Sequence, residues 1–258
     1  MAASEGWHGW DEYAAFYDWE NARTLGRRDV RFWQDLVRRV GGPALELGCG
    51  TGRVTVPLGR TGVPVVGVDR SGAMLACGRQ RARRAGLRGR VALVRGDIRA
   101  LPFARRTFRL VVAPYGVLQS LLREGDLAAT LRSVAGVLPQ GGRLGIDLVP
   151  DVPRWQQYER RVTHTGLRGR DRVPVTLTES VRQDRRRRLT VFEHEFAEGR
   201  GRARRVSRFS LTFRTVAIPT MLRRLERAGF RVDAILGDYQ GGPLRLESDA
   251  WIILATRS

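Results

Sequence analysis

The chain has 258 residues, with 46 basic against 26 acidic side chains, a net charge of +20 and a pI near 11.6. That length accommodates one large α/β domain or two small ones around a substantial core, and 42% hydrophobic with 28% charged residues excludes the disordered and fibrous classes. No apolar run approaches the roughly 18–20 residues of a membrane span. The acidic start MAASEGWHGWDEYAAFYDWE lacks the basic-then-apolar order of a signal peptide. Cys49 and Cys77 cannot build a disulfide scaffold, so a reducing cytoplasm is the expected location.

All 46 basic residues are arginine. Lysine is itself a good phosphate binder, so its exclusion reads as the codon bias of a GC-rich genome before it reads as nucleic-acid binding. The excess is also local: residues 160–216 hold 16 Arg against 6 acids.

Helices open the chain. In DVRFWQDLVRRV, Asp29 is placed to cap, and Val30, Trp33, Val37 and Val40 follow at helical spacing. Strand-like and helix-like stretches then alternate, as in a parallel sheet flanked by helices. Strands are expected at Pro43–Leu47, Val63–Val68, Val91–Val94, Phe108–Ala113 and Leu144–Val149. The helices between them start near Thr51, after the cap Ser71, and at Asp126. From about Val162 to Val216 the pattern alternates with period two and implies three or four antiparallel strands. Val173, Val175, Leu177 and Val181 share one face, Phe192 and Phe196 another, and Phe209, Leu211 and Phe213 a third. Turns are expected at Asp184–Arg188 and Glu198–Arg202. A helix Pro219–Ala228 and strands Arg231–Leu236 and Trp251–Ala255 close the chain.

The strongest chemical signal is Glu46-Leu-Gly48-Cys-Gly50-Thr-Gly52, placed after a strand and opening a helix. Glycine is needed where backbone turns tightly and lets a ligand lie against it, and open parallel sheets bind ligands beyond the carboxyl ends of their strands. The spacing is G-x-G-x-G, with Arg53 where the dinucleotide fingerprint has its third glycine. Glu46 before the loop would repel a pyrophosphate and suits a cationic ligand. Asp69 ends strand two, where a carboxylate can accept both hydroxyls of a ribose. Asp97 ends strand three beside Ile98, a pairing that suits an adenine's amino group and face.

The runs ALELGCGTGRVTVPL, VVGVDRSGAML, VRGDIRALPF, FRLVVAPYGVLQSLL and VLPQGGRLGIDL, with the endings ERAGFRV and WIILATR, resemble the class I S-adenosylmethionine-dependent methyltransferases. Within that family the chain is most similar to small-molecule enzymes that N-methylate amino sugars or glycine. The resemblance implies a Rossmann-like, seven-stranded, mostly parallel sheet flanked by helices, with an antiparallel β insertion after strand five. It implies a cofactor core of residues 1–150 and 217–258, with residues 1–40 as a helical lid. Residues 151–216 would be the insertion, a platform for substrate or for a homodimer. S-adenosylmethionine is the implied cofactor. Its methionine end falls to Glu46, Gly48 and Gly50, and its ribose to Asp69. Arg70 and Met74 fall beside the adenine, and Asp97 with Ile98 at the adenine's edge and face. Ala113 would sit near the sulfonium, and Tyr17 in YAAFYD would close over the cofactor.

Methyl transfer is in-line displacement, which is mainly positioning chemistry, and an amine that arrives neutral needs no general base. Some amino-sugar methyltransferases carry a histidine after strand four, whereas Tyr115–Leu122 has none. Tyr115 is therefore the expected polar group facing the methyl, with Asp147 second. Ala113-Pro114-Tyr115 replaces the Asn/Asp-Pro-Pro-Tyr of enzymes that methylate adenine or glutamine amides, and alanine cannot accept amino protons. The histidines His8, His164 and His194 are scattered, so no metal site is expected. His194, between Glu193 and Glu195, reads as part of an exposed strand face. Trp155, Tyr158, Phe192 and Phe209 read first as a core for the insertion and second as a pocket lining. The expected acceptor is a small molecule, with an anionic one compatible with the arginine-rich segment. An RNA or protein methyltransferase using that segment is the alternative, and a non-catalytic cofactor-binding protein is the alternative from another class.

Overall fold

The computed structural model describes residues 9–22, 28–150, 157–245, 247–248 and 250–258; His8 and Trp155 lie outside the described residues. Two helices come first, α1 (Trp10–Asn21) and α2 (Arg28–Val40). The alternating half follows as β1 (Ala44–Leu47), α3 (Thr55–Gly59), β2 (Val65–Asp69), α4 (Gly72–Arg84), β3 (Val91–Arg95), β4 (Leu110–Ala113), α5 (Glu124–Val137) and β5 (Arg143–Leu148). Four long strands succeed it: β6 (Tyr158–Arg168), β7 (Val173–Asp184), β8 (Leu189–Glu198) and β9 (Arg205–Arg214). The chain closes with α6 (Ile218–Arg227), β10 (Phe230–Leu236) and β11 (Trp251–Arg257).

Seven strands form one sheet in the order β10-β11-β5-β4-β1-β2-β3, and only β11 runs antiparallel to its neighbours β5 and β10. The expected Rossmann-like architecture is therefore present, and the remaining four strands form the separate antiparallel sheet β6-β7-β8-β9. Both faces of the large sheet are covered, which is why its strands read as continuous apolar runs. In β4, Leu110 and Val112 pack with Trp33 and Val37 of α2, while Val111 and Ala113 pack with Leu127 and Leu131 of α5. Because β1 pairs with β2 on one side and β4 on the other, the strand order reverses at β1 and opens a crevice above its carboxyl end.

Several local expectations shift. The helix expected from about Thr51 begins at Thr55, because Gly48, Gly50 and Gly52 all have positive φ and cannot continue a right-handed helix. Asp29 does not cap α2; it lies inside the first turn, fully buried, and pairs with Arg53. Ser71 does cap α4, its hydroxyl accepting from Met74 N at 3.0 Å.

The antiparallel sheet packs one face on α1. Tyr13, Phe16 and Trp19 of α1 meet Val175, Leu177, Phe196 and Leu211, with Phe192, Phe209 and Phe213 at the margin. The rings of Phe16 and Phe196 stack with centroids 4.3 Å apart, worth about 0.5–1.5 kcal/mol beyond the buried area. This is the core reading of Phe192 and Phe209, whereas Tyr158 donates its hydroxyl to Glu179. His194 is not on the exposed face: it is 4% exposed. It shares the period of Phe192 and Phe196, so it points at α1, and its flanking glutamates take the opposite face. Both arginine-rich turns, at 185–188 and at 199–204, fall between strands.

Candidate functional site

Above the carboxyl ends of β1, β2, β3 and β4 lies a cavity of about 390 Å³, within the size range of small-molecule sites. Glu46, Gly48, Gly50, Asp69, Arg70, Met74, Asp97, Ile98, Tyr17 and Tyr115 all line it. Ala113 does not; it ends β4 with its side chain fully buried in the core.

The two glycines flanking Cys49 differ in what a side chain would meet. Gly48 has φ +60°, and a Cβ there would stand 2.3 Å from Val117 Cγ2. Gly50 has φ +51°, but its Cβ would meet nothing nearer than Met74 Sδ at 3.9 Å. Gly48 thus serves packing, and Gly50 leaves open space against the backbone where a ligand can lie.

Three acids reach the cavity from three successive strands. Glu46 on β1 is 3% exposed and accepts from Thr55 Oγ1. Burial pushes its carboxyl up to about 8, against the opposing pull of Thr55 and Arg53. Asp69 at the end of β2 is pinned by backbone: Oδ2 accepts from Gly50 N and Oδ1 from Ser71 N, both at 2.8 Å. Burial raises its carboxyl above the ordinary aspartate value, and these amides oppose the rise. Asp97 follows β3 and accepts from Arg99 Nη2 at 2.8 Å, with Arg70 Nη1 at 3.5 Å. Burial pulls its carboxyl upward, but the bonds from Arg99 outweigh it and hold the group below its usual range.

The far wall comes from outside these strands. Trp10, Asp11 and Tyr17 of α1 and Phe213 of β9 line the same cavity. Asp11 fixes α1 to the start of α4, accepting from Ser71 Oγ at 2.5 Å and Ala73 N at 3.2 Å. Tyr115 sits in the turn after β4 with φ +61°, an uncommon conformation for a residue with a side chain. The turn is held from behind: Asp147 of β5 accepts from Gly116 N and from the Tyr239 hydroxyl, each at 2.7 Å. Asp147 is 2% exposed and does not line the cavity, so it supports the turn rather than facing a methyl group. Burial raises its carboxyl to about 6, with the Gly116 and Tyr115 amides and the Tyr239 hydroxyl opposing the rise.

Arg53 is the cavity residue whose role the sequence does not announce. It reaches α2 through Asp29 and places its guanidinium carbon 5.3 Å from the centre of the Tyr115 ring, within cation–π range. Its signal was its occupation of the third-glycine position. Trp10 and Phe213 were hidden because only the docking of the second sheet on α1 brings them to the crevice.

Residues 44–142 match the family model described as a methyltransferase domain. The glycine loop, the three acids and Tyr115 all lie within that domain. Among curated relatives, the demethylmenaquinone methyltransferase of Corynebacterium kroppenstedtii is 37% identical over 135 residues, 50% of this chain and 53% of that protein. The chain thus spans about half the length of the curated relatives it matches. Solved structures extend the likeness of fold over nearly the whole chain. The CcbJ methyltransferase of Streptomyces caelestis aligns with a TM-score of 0.75 at 21% identity, covering 89% of this chain and 95% of that one. The sugar N-methyltransferase KedS8 of Streptoalloteichus aligns with a TM-score of 0.74 at 20% identity, covering 93% and 92%. Among the described residues no helix is long and apolar enough to cross a membrane.

Proposed function

We propose that the chain transfers the methyl group of S-adenosylmethionine to a small-molecule amine. The observation that carries the cofactor reading is the convergence of Glu46, Asp69 and Asp97 on one cavity beside the Gly48–Gly50 backbone. These residues fit the group. A buried acid at Glu46 suits its cationic methionine end, and the open space that a Cβ on Gly50 would enter gives the chain of the cofactor a place to lie. Asp69, its carboxylate fixed by two amides, takes the ribose hydroxyls, and Ile98 with Met74 flanks the adenine. Asp97 shares its oxygens with Arg99, so it accepts the adenine amino group alongside that guanidinium.

When bound, the cofactor supplies an electrophilic methyl group on a sulfonium. The chain's own residues then position the acceptor and keep water out. Tyr17 and Trp10 cover the crevice from α1, Phe213 closes it from β9, and Tyr115 presents its ring from the turn after β4. In this reading the acceptor amine arrives neutral, so that no protein base is required. Residues 1–150 and 217–258 form the cofactor core in this reading, 1–40 its lid, and 151–216 the platform that selects the acceptor.

An amine is favoured over a quinone because the fold likeness to a sugar N-methyltransferase includes the second sheet, whereas the match to the quinone-directed relative covers half the chain. The exposed arginine turns keep RNA as the competing acceptor. Calorimetry with S-adenosylmethionine tests the first step: one molecule bound by the native chain, and binding lost in Asp69→Ala, are expected. No binding by the native chain would overturn the proposal.

A further inference from the structure

His194 of β8 lies between two carboxylates that the sequence keeps far apart. Its Nε2 is 2.8 Å from Glu179 Oε2 on β7, and its Nδ1 faces Glu20 Oε2 on α1 at 3.7 Å. The imidazole is 3% exposed, the Glu20 side chain 9% and the Glu179 side chain 14%. One ligand atom from each residue lies within 4.8 Å of the other two. Nδ1 has no hydrogen-bond partner. The Tyr13 hydroxyl donates to Glu20 and the Tyr158 hydroxyl to Glu179.

We propose that these three residues form a site for one divalent transition-metal ion of the zinc class, ligated by His194 Nδ1 and Glu20, with Glu179 orienting the ring. If Nε2–H donates to Glu179, the Nδ1 lone pair is left aimed at Glu20. A carboxylate that fixes the tautomer of a ligating histidine in this way is the usual outer shell of a histidine–metal bond. The 3.7 Å between Nδ1 and Glu20 is too long for a hydrogen bond. It is close to the separation of about 3.3–3.4 Å between neighbouring ligands at 2.0–2.1 Å from a tetrahedral ion.

Charge points the same way. A divalent cation between these residues would also offset the charge of two carboxylates held largely out of water. Imidazole favours zinc, copper, iron or nickel over magnesium and calcium. His164 of β6 is the other titratable group whose charge reaches both carboxylates. An ion here would bind α1 to the antiparallel sheet and hold Trp10 and Tyr17 over the cavity. The site therefore clamps the lid, and it stands whether or not the methyl acceptor is an amine.

The test uses the full chain, stripped with a chelator and titrated with Zn²⁺ by calorimetry and with Co²⁺ by visible absorption. Expected are one equivalent bound, a raised thermal midpoint on saturation with zinc, and loss of binding in His194→Gln and in Glu20→Gln. Glu179→Gln should weaken binding about 10–100-fold, and Cys77→Ser should leave it intact. If His194→Gln does not fold, Glu20→Gln carries the test. No binding by the native chain, or equal binding by Glu20→Gln, would overturn the proposal.

Discussion

Arg53 and Asp29 are joined by two parallel hydrogen bonds, Nη1 to Oδ1 and Nη2 to Oδ2, each 2.7 Å long. Asp29 is fully buried and the Arg53 side chain 11% exposed, so the pair sets the loop after β1 against α2 with little help from water. Removing one member of a buried pair strands the other charge, at about 3–5 kcal/mol. Asp29→Ala is expected to lose that much stability in urea denaturation, and the further change Arg53→Met to recover part of it. A loss below about 1 kcal/mol, the range of an exposed pair, would show that the pair is solvated in solution.

With Glu46 holding the methionine end as proposed, cofactor binding should depend on pH. Its carboxyl titrates near 8 in the folded chain against an ordinary 4.5. Folding therefore favours the protonated acid: its contribution to stability is complete below about 4.5 and is lost as pH rises through 8. A cationic ligand favours the ionised acid, so binding should release a proton and strengthen by up to about tenfold per pH unit between pH 6 and 8. Calorimetry in buffers of different ionisation enthalpy measures the proton. Glu46→Gln should bind weakly, without proton release and without the pH slope.

The two loop glycines should separate stability from binding. Gly48→Ala forces a left-handed residue, at about 1–2 kcal/mol, and adds a clash with Val117. Gly50→Ala carries the backbone cost alone, and its methyl enters the space assigned to the ligand. Gly48→Ala is expected to show the lower melting temperature. Gly50→Ala should melt closer to the native chain yet bind S-adenosylmethionine at least tenfold more weakly.

Tyr239 acts on the site through Asp147. Tyr239→Phe removes one of the bonds to a buried carboxylate, a loss of about 1–3 kcal/mol, and loosens the turn that holds Tyr115 at positive φ. Turnover should fall with cofactor affinity nearly unchanged, since the acids of β1, β2 and β3 are untouched. An equal loss of affinity would place Asp147 in cofactor binding instead.

What the sequence revealed was whatever depends on local pattern. Strands buried on both faces appear as apolar runs, and Ser71 announces its cap by position. Glu46, Asp69 and Asp97 sit at strand ends, where the parallel topology gathers them. What it concealed depends on packing between distant segments. Asp29 looked like a cap because its partner Arg53 is 24 positions away, and the resemblance placed Ala113 near the sulfonium without showing that its side chain packs into the core. His194 was legible in principle: the two-residue period that paired Phe192 with Phe196 places it on their face, but its glutamate neighbours suggested exposure. Trp10 and Phe213 had no local signal, because the crevice they close exists only once α1 and the second sheet have docked.

Methyl transfer to a small-molecule amine is tested by following the methyl group. The full chain is incubated with methyl-labelled S-adenosylmethionine and, separately, amino sugars, simple amines, a reduced quinone and RNA. Label recovered on nitrogen in one or more of the amines, and lost in Asp69→Ala, is the expected result. Label on the quinone carbon or on RNA, with none on any amine, would contradict it.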